Sequence, residues 1–175
     1  MAASFHFLFE IVKIALLATG YSAVLFLLLY VVAEIPKLKF KKVRFYAIYR
    51  VVAVVLFVFM FTYYGDHGLG DDSRIPIGHW ESIRASDGYP YLEMPGHSGQ
   101  LNIGTFSLSG DIICAEADSG IVYYNLRSNR AVTFKREAAY ITFANRYKLP
   151  LPDEFEDFYK HYREYWGGWR FWLLP

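Results

Sequence analysis

The feature that most constrains this chain is an uninterrupted apolar run near its start. Residues 14–33, IALLATGYSAVLFLLLYVVA, contain no Asp, Glu, Lys or Arg. About 20 apolar residues in a helix span a hydrocarbon core of about 30 Å, whereas a soluble core helix of that length shows a polar face. A second run, residues 45–64, FYAIYRVVAVVLFVFMFTYY, carries one charge, Arg50, close enough to its start to reach the headgroups. Tyr46, Tyr49, Tyr63 and Tyr64 stand at its two ends, where amphipathic rings favour the membrane interface. The pattern predicts a short N-terminus over 1–10 and a transmembrane hairpin with helices over 11–34 and 45–64.

The loop between them, 35–44, holds Lys37, Lys39, Lys41, Lys42 and Arg44, beside a single acid, Glu34. Cationic loops stay on the cytoplasmic side, and such a loop can also bind anionic lipid headgroups. The opposite flanks agree, because Lys13 is accompanied by Glu10, and Asp66, Asp71 and Asp72 follow the second run. Both termini then lie across the bilayer, in the periplasm if the membrane is a bacterial inner membrane. A cleaved signal peptide is the competing reading, with Val31 and Ala33 as the small-residue cleavage pattern. The apolar run exceeds the usual h-region of about 7–15 residues, however, and cleavage would leave the basic cluster at the mature start. Glu10 and Lys13 share a helix face, and Ala18, Gly20, Ser22 and Ala23 permit close helix packing. Arg50 is the one further charge within the runs, which gives a two-helix unit no ion pathway of its own.

Composition changes after the second run. YGDHGLGDDSRIPIG, ending at Gly78, is dense in Gly and Asp and reads as a linker over 65–78. Residues 79–175 then read as an exterior β-rich domain. Short β-like runs at 79–85, 89–94, 101–108, 112–117, 121–126 and 131–134 are separated by turn signals such as Ser86-Asp87-Gly88 and Asp118-Ser119-Gly120. Residues 111–134, DIICAEADSGIVYYNLRSNRAVTF, resemble one blade of a β-propeller through the strand–turn–strand GIVYYNLRSNRAVTF. A propeller needs about four or more blades and no repeat follows, so the resemblance implies a local hairpin meander. Helices are expected over 136–147 and 153–166, the second opened by Asp153 with Glu156 and closed by Gly167-Gly168. The tail WRFWLLP reads as an extended apolar docking segment. The fold class is therefore a membrane-anchored α+β protein, an N-terminal two-helix hairpin followed by a small antiparallel β-meander with one or two C-terminal helices.

Little in the sequence carries chemistry. The net charge of +1 offers no field for nucleic acid. A single cysteine, Cys114, excludes an intrachain disulfide and a cysteine zinc site, and its apolar neighbours suit a core residue. None of the five histidines, His6, His67, His79, His97 and His161, lies in a recognised metal-ligand spacing. His67 with Asp66, Asp71 and Asp72 could face a hard cation, but an acidic Gly-rich linker explains the same residues. The carboxylates Glu81, Glu93, Glu116 and Asp118 read as solvated sheet-face charges. No cofactor is implied. Aromatic density at the C-terminus offers two roles for Tyr165, Trp166, Trp169 and Trp172: core packing under the sheet, or a face for a partner or the bilayer.

These features favour an accessory or immunity-type module whose exterior domain binds a protein, peptide or envelope ligand. Its partners would be the lipid bilayer and another membrane or envelope protein. Two alternatives are a hydrolase of envelope material, requiring some of His67, His79, His97, Glu81, Glu93 and Asp111 to converge, and a small subunit of a larger membrane complex.

Overall fold

A computed structural model describes residues 2–33, 44–93 and 100–175. The chain divides into two compact units: residues 71–167, and residues 1–70 together with 168–175.

In the first unit, α1 (Ala2–Ala33) runs for 32 residues, about 48 Å. Its stretch Ala3–Val32 is long and apolar enough to cross a membrane. The helix α2 (Phe45–Phe59) has 15 residues, about 22 Å, so the second transmembrane helix expected over 45–64 is not supported: among the described residues only Ala3–Val32 has the length to span. The reason is local. Thr62 Oγ1 donates to the Phe59 carbonyl at 2.7 Å, and the Gly65 and Asp66 amides turn back onto the Thr62 carbonyl. A Cβ on Gly65 would lie 2.1 Å from the Phe59 carbonyl oxygen, so this turn requires glycine. The two helices run antiparallel: Phe45 meets Phe26, and the loop after α2 brings His67 against His6. Ile14, Ala18, Ser22 and Ile48 are buried, so of the four small residues expected to permit close packing Ala18 and Ser22 lie in the helix contact, while Gly20 and Ala23 are exposed.

The second unit is an antiparallel meander in sequential order: β1 (Ser73–Gly78), β2 (Glu81–Ser86), β3 (Tyr89–Glu93), β4 (Gln100–Ser109), β5 (Ile112–Ala117), β6 (Gly120–Asn125) and β7 (Arg130–Phe134). The alternating runs and their turns position six of these strands. The first, β1, replaces the C-terminal part of the expected linker. Its Ile75 is buried and Ile77 packs on the core, while Pro76, which lacks an amide donor, is tolerated because β1 is an edge strand.

The ten-residue β4 joins two sheets. Its start pairs with β3, a register shift falls between Ile103 and Phe106, and its end pairs with β5. Where β3 has ended, the two-residue strand β8 (Glu156–Asp157) pairs with Thr105 and Phe106. That pairing delays the last long helix. Residues 152–154 form a 3-10 turn, and α4 spans Phe158–Trp166 with Asp157, not Asp153, accepting the Lys160 amide at 3.0 Å. Helix α3 spans Glu137–Tyr147 and ends on left-handed Lys148.

Period-two alternation gives the second sheet two buried faces. Ile113, Ala115, Val122 and Tyr124 face a core shared with Ile75, Ile83, Leu92, Phe106 and Phe158. Cys114 and Ile121 point the other way, into a second core with Tyr140 and Ala144 of α3. Cys114 is fully buried and burial pushes its thiol up, which makes it a packing residue rather than a nucleophile.

Candidate functional site

The β1–β2 connection breaks a local rule. Gly78 pairs with Glu81, leaving a two-residue loop of His79 and Trp80 with φ of 50° and 66°. Both signs are those of a primed hairpin turn, which favours Asn-Gly or Asp-Gly. The next hairpin obeys that preference with Asp87-Gly88, at φ 51° and 85°. For ordinary L-residues the left-handed region costs roughly 1–2 kcal/mol each, and such strain is characteristic of binding and catalytic positions. It holds Trp80 at 79% exposure, on the tip of the hairpin.

Polar groups from two other turns meet this tip. His79 Nε2 lies 3.1 Å from Asp111 Oδ1, which follows β4. Both side chains are about half exposed to water (41% and 51%), so the pair orients the ring more than it stabilises the fold. Glu81, one residue beyond Trp80, has Oε1 2.9 Å from the Tyr124 hydroxyl, which in turn lies 2.7 Å from Asn129 Oδ1. One hydroxyl proton cannot serve two acceptors. Either Glu81 carries a proton, or Asn129 presents its NH2 to the hydroxyl while the hydroxyl donates to the carboxylate.

Burial pushes the Glu81 carboxyl up, against the opposing effects of the Tyr124 donor and nearby His79. Tyr124 is likewise held above the usual phenol range by burial and by Glu81. The folded state thus binds the Glu81 proton more tightly than the unfolded chain. This contribution should make stability rise as pH falls from above the raised value, and level off below the ordinary carboxylate range. Glu81→Gln should flatten that part of the profile in urea midpoints measured against pH, while Glu116→Gln on the exposed sheet face should not.

A second cluster lies within the helical unit. Glu10 on α1 is 2% exposed, and its Oε1 is 3.7 Å from His6 Nε2 and 3.6 Å from His67 Nε2. Glu10 Oε2 makes no hydrogen bond among the described residues, and Lys13 Nζ is 3.9 Å from it. His6, Glu10 and His67 are close enough to surround a metal ion. The proton positions oppose that use. The Gly70 amide donates to His6 Nδ1 at 3.1 Å, so the proton of the neutral ring resides on Nε2, the nitrogen facing Glu10. Coordination through Nε2 and acceptance from Gly70 are mutually exclusive. As arranged, Lys13 supplies the positive charge beside the buried Glu10 carboxylate, and the histidine contacts fasten the 66–70 loop to the start of α1. Gly70, at φ 71°, has no room for a Cβ, which would approach Ala3 to 2.9 Å.

The structure divides the aromatic group. Trp166 is buried, with its indole N–H donated to the Arg74 carbonyl at 2.6 Å, and Tyr165 packs on the main core. Trp169 and Trp172 belong to the helical unit and are exposed. They lie on α5 (Trp169–Leu173), a short helix where an extended segment was expected. Gly168, at φ 61°, redirects the chain before it, and tertiary contacts described below hold so short a helix. Arg44 precedes α2 and is exposed, whereas Lys37, Lys39, Lys41 and Lys42 lie outside the described residues, as do His97 and the Glu93 side chain. Of the candidate acid–base set, His79, Glu81 and Asp111 come together, while His67 belongs to the helical cluster. Compared with known proteins, the chain matches no family model, no curated protein and no solved structure.

The His6–Glu10–His67 grouping was missed because its members are 57 residues apart at the widest step. A partial signal existed: His6 and Glu10, four apart, share a helix face. Nothing in the sequence marked Trp80 or Tyr124.

Proposed function

We propose that this chain is a membrane-anchored binding module. Its helices hold it in a bilayer, and its β unit presents the His79-Trp80 tip to a protein, peptide or envelope ligand on the side opposite the 35–44 loop. The observation that carries this reading is the exposed tryptophan kept on a strained two-residue loop, since Trp is the residue type most often dominant in interfaces.

Retention of α1 as an anchor is supported by what it grips. Later parts of the chain bind it through His67 and Gly70, and Tyr21 donates to the Leu173 carbonyl at 2.6 Å. A leader removed at Ala33 would take these contacts away. The hairpin topology is supported by level: α2 starts beside Phe26, and the chain after it returns to Glu10, 16 residues of α1 away, about 24 Å. Over that interval α2 and the residues after it recross the outer part of the α1 span of residues 14–33, and local thinning accommodates the shorter helix. In this reading the 35–44 loop is cytoplasmic, and both termini and the β unit lie outside, in a bacterium the periplasm.

Arg127 is an exposed turn residue and the native Cys114 is fully buried, which makes labelling selective. Arg127→Cys should react with a membrane-impermeant maleimide in intact cells, after permeabilising only the outer membrane where one exists. Labelling only after the anchoring membrane is broken would overturn the orientation.

The convergence of His79, Glu81 and Asp111 supports a second reading, a hydrolase of envelope material. It predicts turnover of envelope glycan or peptide that Asp111→Asn abolishes. Under the binding reading, the same substitution weakens partner capture and no turnover exists to lose. Wide exposure of His79 and Asp111 favours binding, because acid–base catalysis gains from a shielded site.

A further inference from the structure

The chain returns to the helical unit at Gly168, after the β unit is complete. We propose that α5 is an interfacial anchor: Trp169, Phe171, Trp172 and Leu173 insert at the headgroup–acyl boundary of the bilayer crossed by α1. The inference rests on the membrane reading above and adds a second attachment, so that the β unit is tethered at both of its ends.

Four of the five residues of α5 are large and apolar, and all four are exposed: Trp169 60%, Phe171 48%, Trp172 72% and Leu173 46%. A five-residue helix has no stability of its own in water. Here α1 positions it, through the Tyr21 hydroxyl on the Leu173 carbonyl and the Lys13 ammonium 5.1 Å from the centre of the Phe171 ring. The last residue, Pro175, is buried, which fixes the tail beyond the helix.

The level of these contacts along α1 identifies the occupant. Twenty residues counted back from Ala33, the end nearest the basic loop, reach residue 14, so a hydrocarbon core of about 30 Å begins near Lys13. Phe171 is at that boundary, and Tyr21, eight residues further, is about 12 Å deeper. The Phe171 end of α5 is thus at the boundary itself and the Leu173 end slightly deeper than the roughly 5–10 Å at which interfacial helices lie. Leu16, Val24 and Leu25, on the turns of α1 around Lys13 and Tyr21, are exposed as well, and lipid covers them in the same reading. Arg170 lies with its guanidinium 5.0 Å from the centre of the Trp169 ring, and it and Lys13 can extend their charges to the headgroups. Tryptophan is the side chain most suited to this layer, since its ring is apolar and its N–H can meet water or headgroups.

The test uses the full chain in phosphatidylcholine vesicles whose lipids carry bromine either near the headgroup end of the acyl chain or near the bilayer midplane. Subtracting the emission of a W169F/W172F variant isolates the two α5 indoles from Trp80 and Trp166. Roughly half or more of that component should be quenched by shallow bromine and less by deep bromine, as expected for the boundary layer. A reporter variant, Leu28→Trp with the four native tryptophans changed to Phe, reads the anchor separately and should be quenched by lipid bromine. If the reporter is quenched while Trp169 and Trp172 are not, α5 is no lipid anchor and the membrane reading stands. If the reporter also escapes quenching, both fail. Protection of the two indoles that grows with protein-to-lipid ratio would assign the face to a second copy of the chain and overturn the proposal.

Discussion

Phe106→Ala is expected to remove about 3–5 kcal/mol from the stability of the β unit, the usual result of emptying a fully buried aromatic site. Phe106 has no exposure and lies where the two sheets exchange strands, opposite Ala115 on β5 and Glu156 on β8. Its ring stacks on His161 at 4.2 Å, and its carbonyl is 2.9 Å from His161 Nε2. Truncation therefore opens the core and loosens the contact that seats α4. A unit spanning 71–167 has a total stability of roughly 5–15 kcal/mol, so this one change consumes a large part of it. Urea unfolding in detergent micelles of the full chain carrying W80F, W169F and W172F, followed by emission of the remaining buried Trp166, measures the loss. Phe106→Leu, which refills most of the volume, should retain the greater part of the stability. A loss below about 1 kcal/mol for the alanine variant would contradict the central place given to Phe106.

The second large effect concerns binding rather than folding. Trp80→Ala should lower partner capture by about 30-fold or more, the equivalent of the 2 kcal/mol or greater expected of a hot-spot tryptophan. Trp80→Gly should do the same and, by relieving a left-handed L-residue, raise the stability of the β unit by about 1 kcal/mol. Opposite movement of stability and capture is what separates a strained binding tip from a merely tolerated turn. Quantitative crosslinking in intact cells, comparing wild type with both variants, reads the capture. Undiminished crosslinking in the two variants would remove the tip from the interface.

Apolar length and alternation were the legible signals. Residues 14–33 could be read as helix because nothing in them interrupts the pattern, and six strands because Asp-Gly and Ser-Gly punctuation cuts the alternating runs to strand length. The failures have definite causes. The turn after Phe59, which ends α2 while its sequence is still apolar, depends on a hydroxyl cap and a glycine approach that hydropathy does not register. Strand β1 was concealed by Asp and Gly before it and Pro within it, although Ile75 and Ile77 already alternated. The helix expected from Asp153 starts later because Glu156 and Asp157 find backbone partners on β4, a long-range pairing that outweighs local capping.

The candidate sites were less legible still. Glu10 and Lys13 could be paired from spacing, yet the approach of His67 and Gly70 comes from the hairpin closing. His79, Glu81 and Asp111 were among six candidate acid–base residues that nothing local could sort, and Tyr124 between Glu81 and Asn129 looked like one more strand aromatic.

The sequence by itself determined the grain of this protein: an apolar N-terminal helix long enough for a bilayer, a cluster of basic residues after it, and a meander with strands of set length, since burial period and turn chemistry are local properties. Only the tertiary structure decided where each side chain ends. It sent Trp166 into a core and left Trp169 and Trp172 outside, though the three are equally apolar and near neighbours in sequence. The physical reason is that a glycine at φ 61° redirects the chain between them, and which surface covers a residue is set by distant partners rather than by its own hydrophobicity.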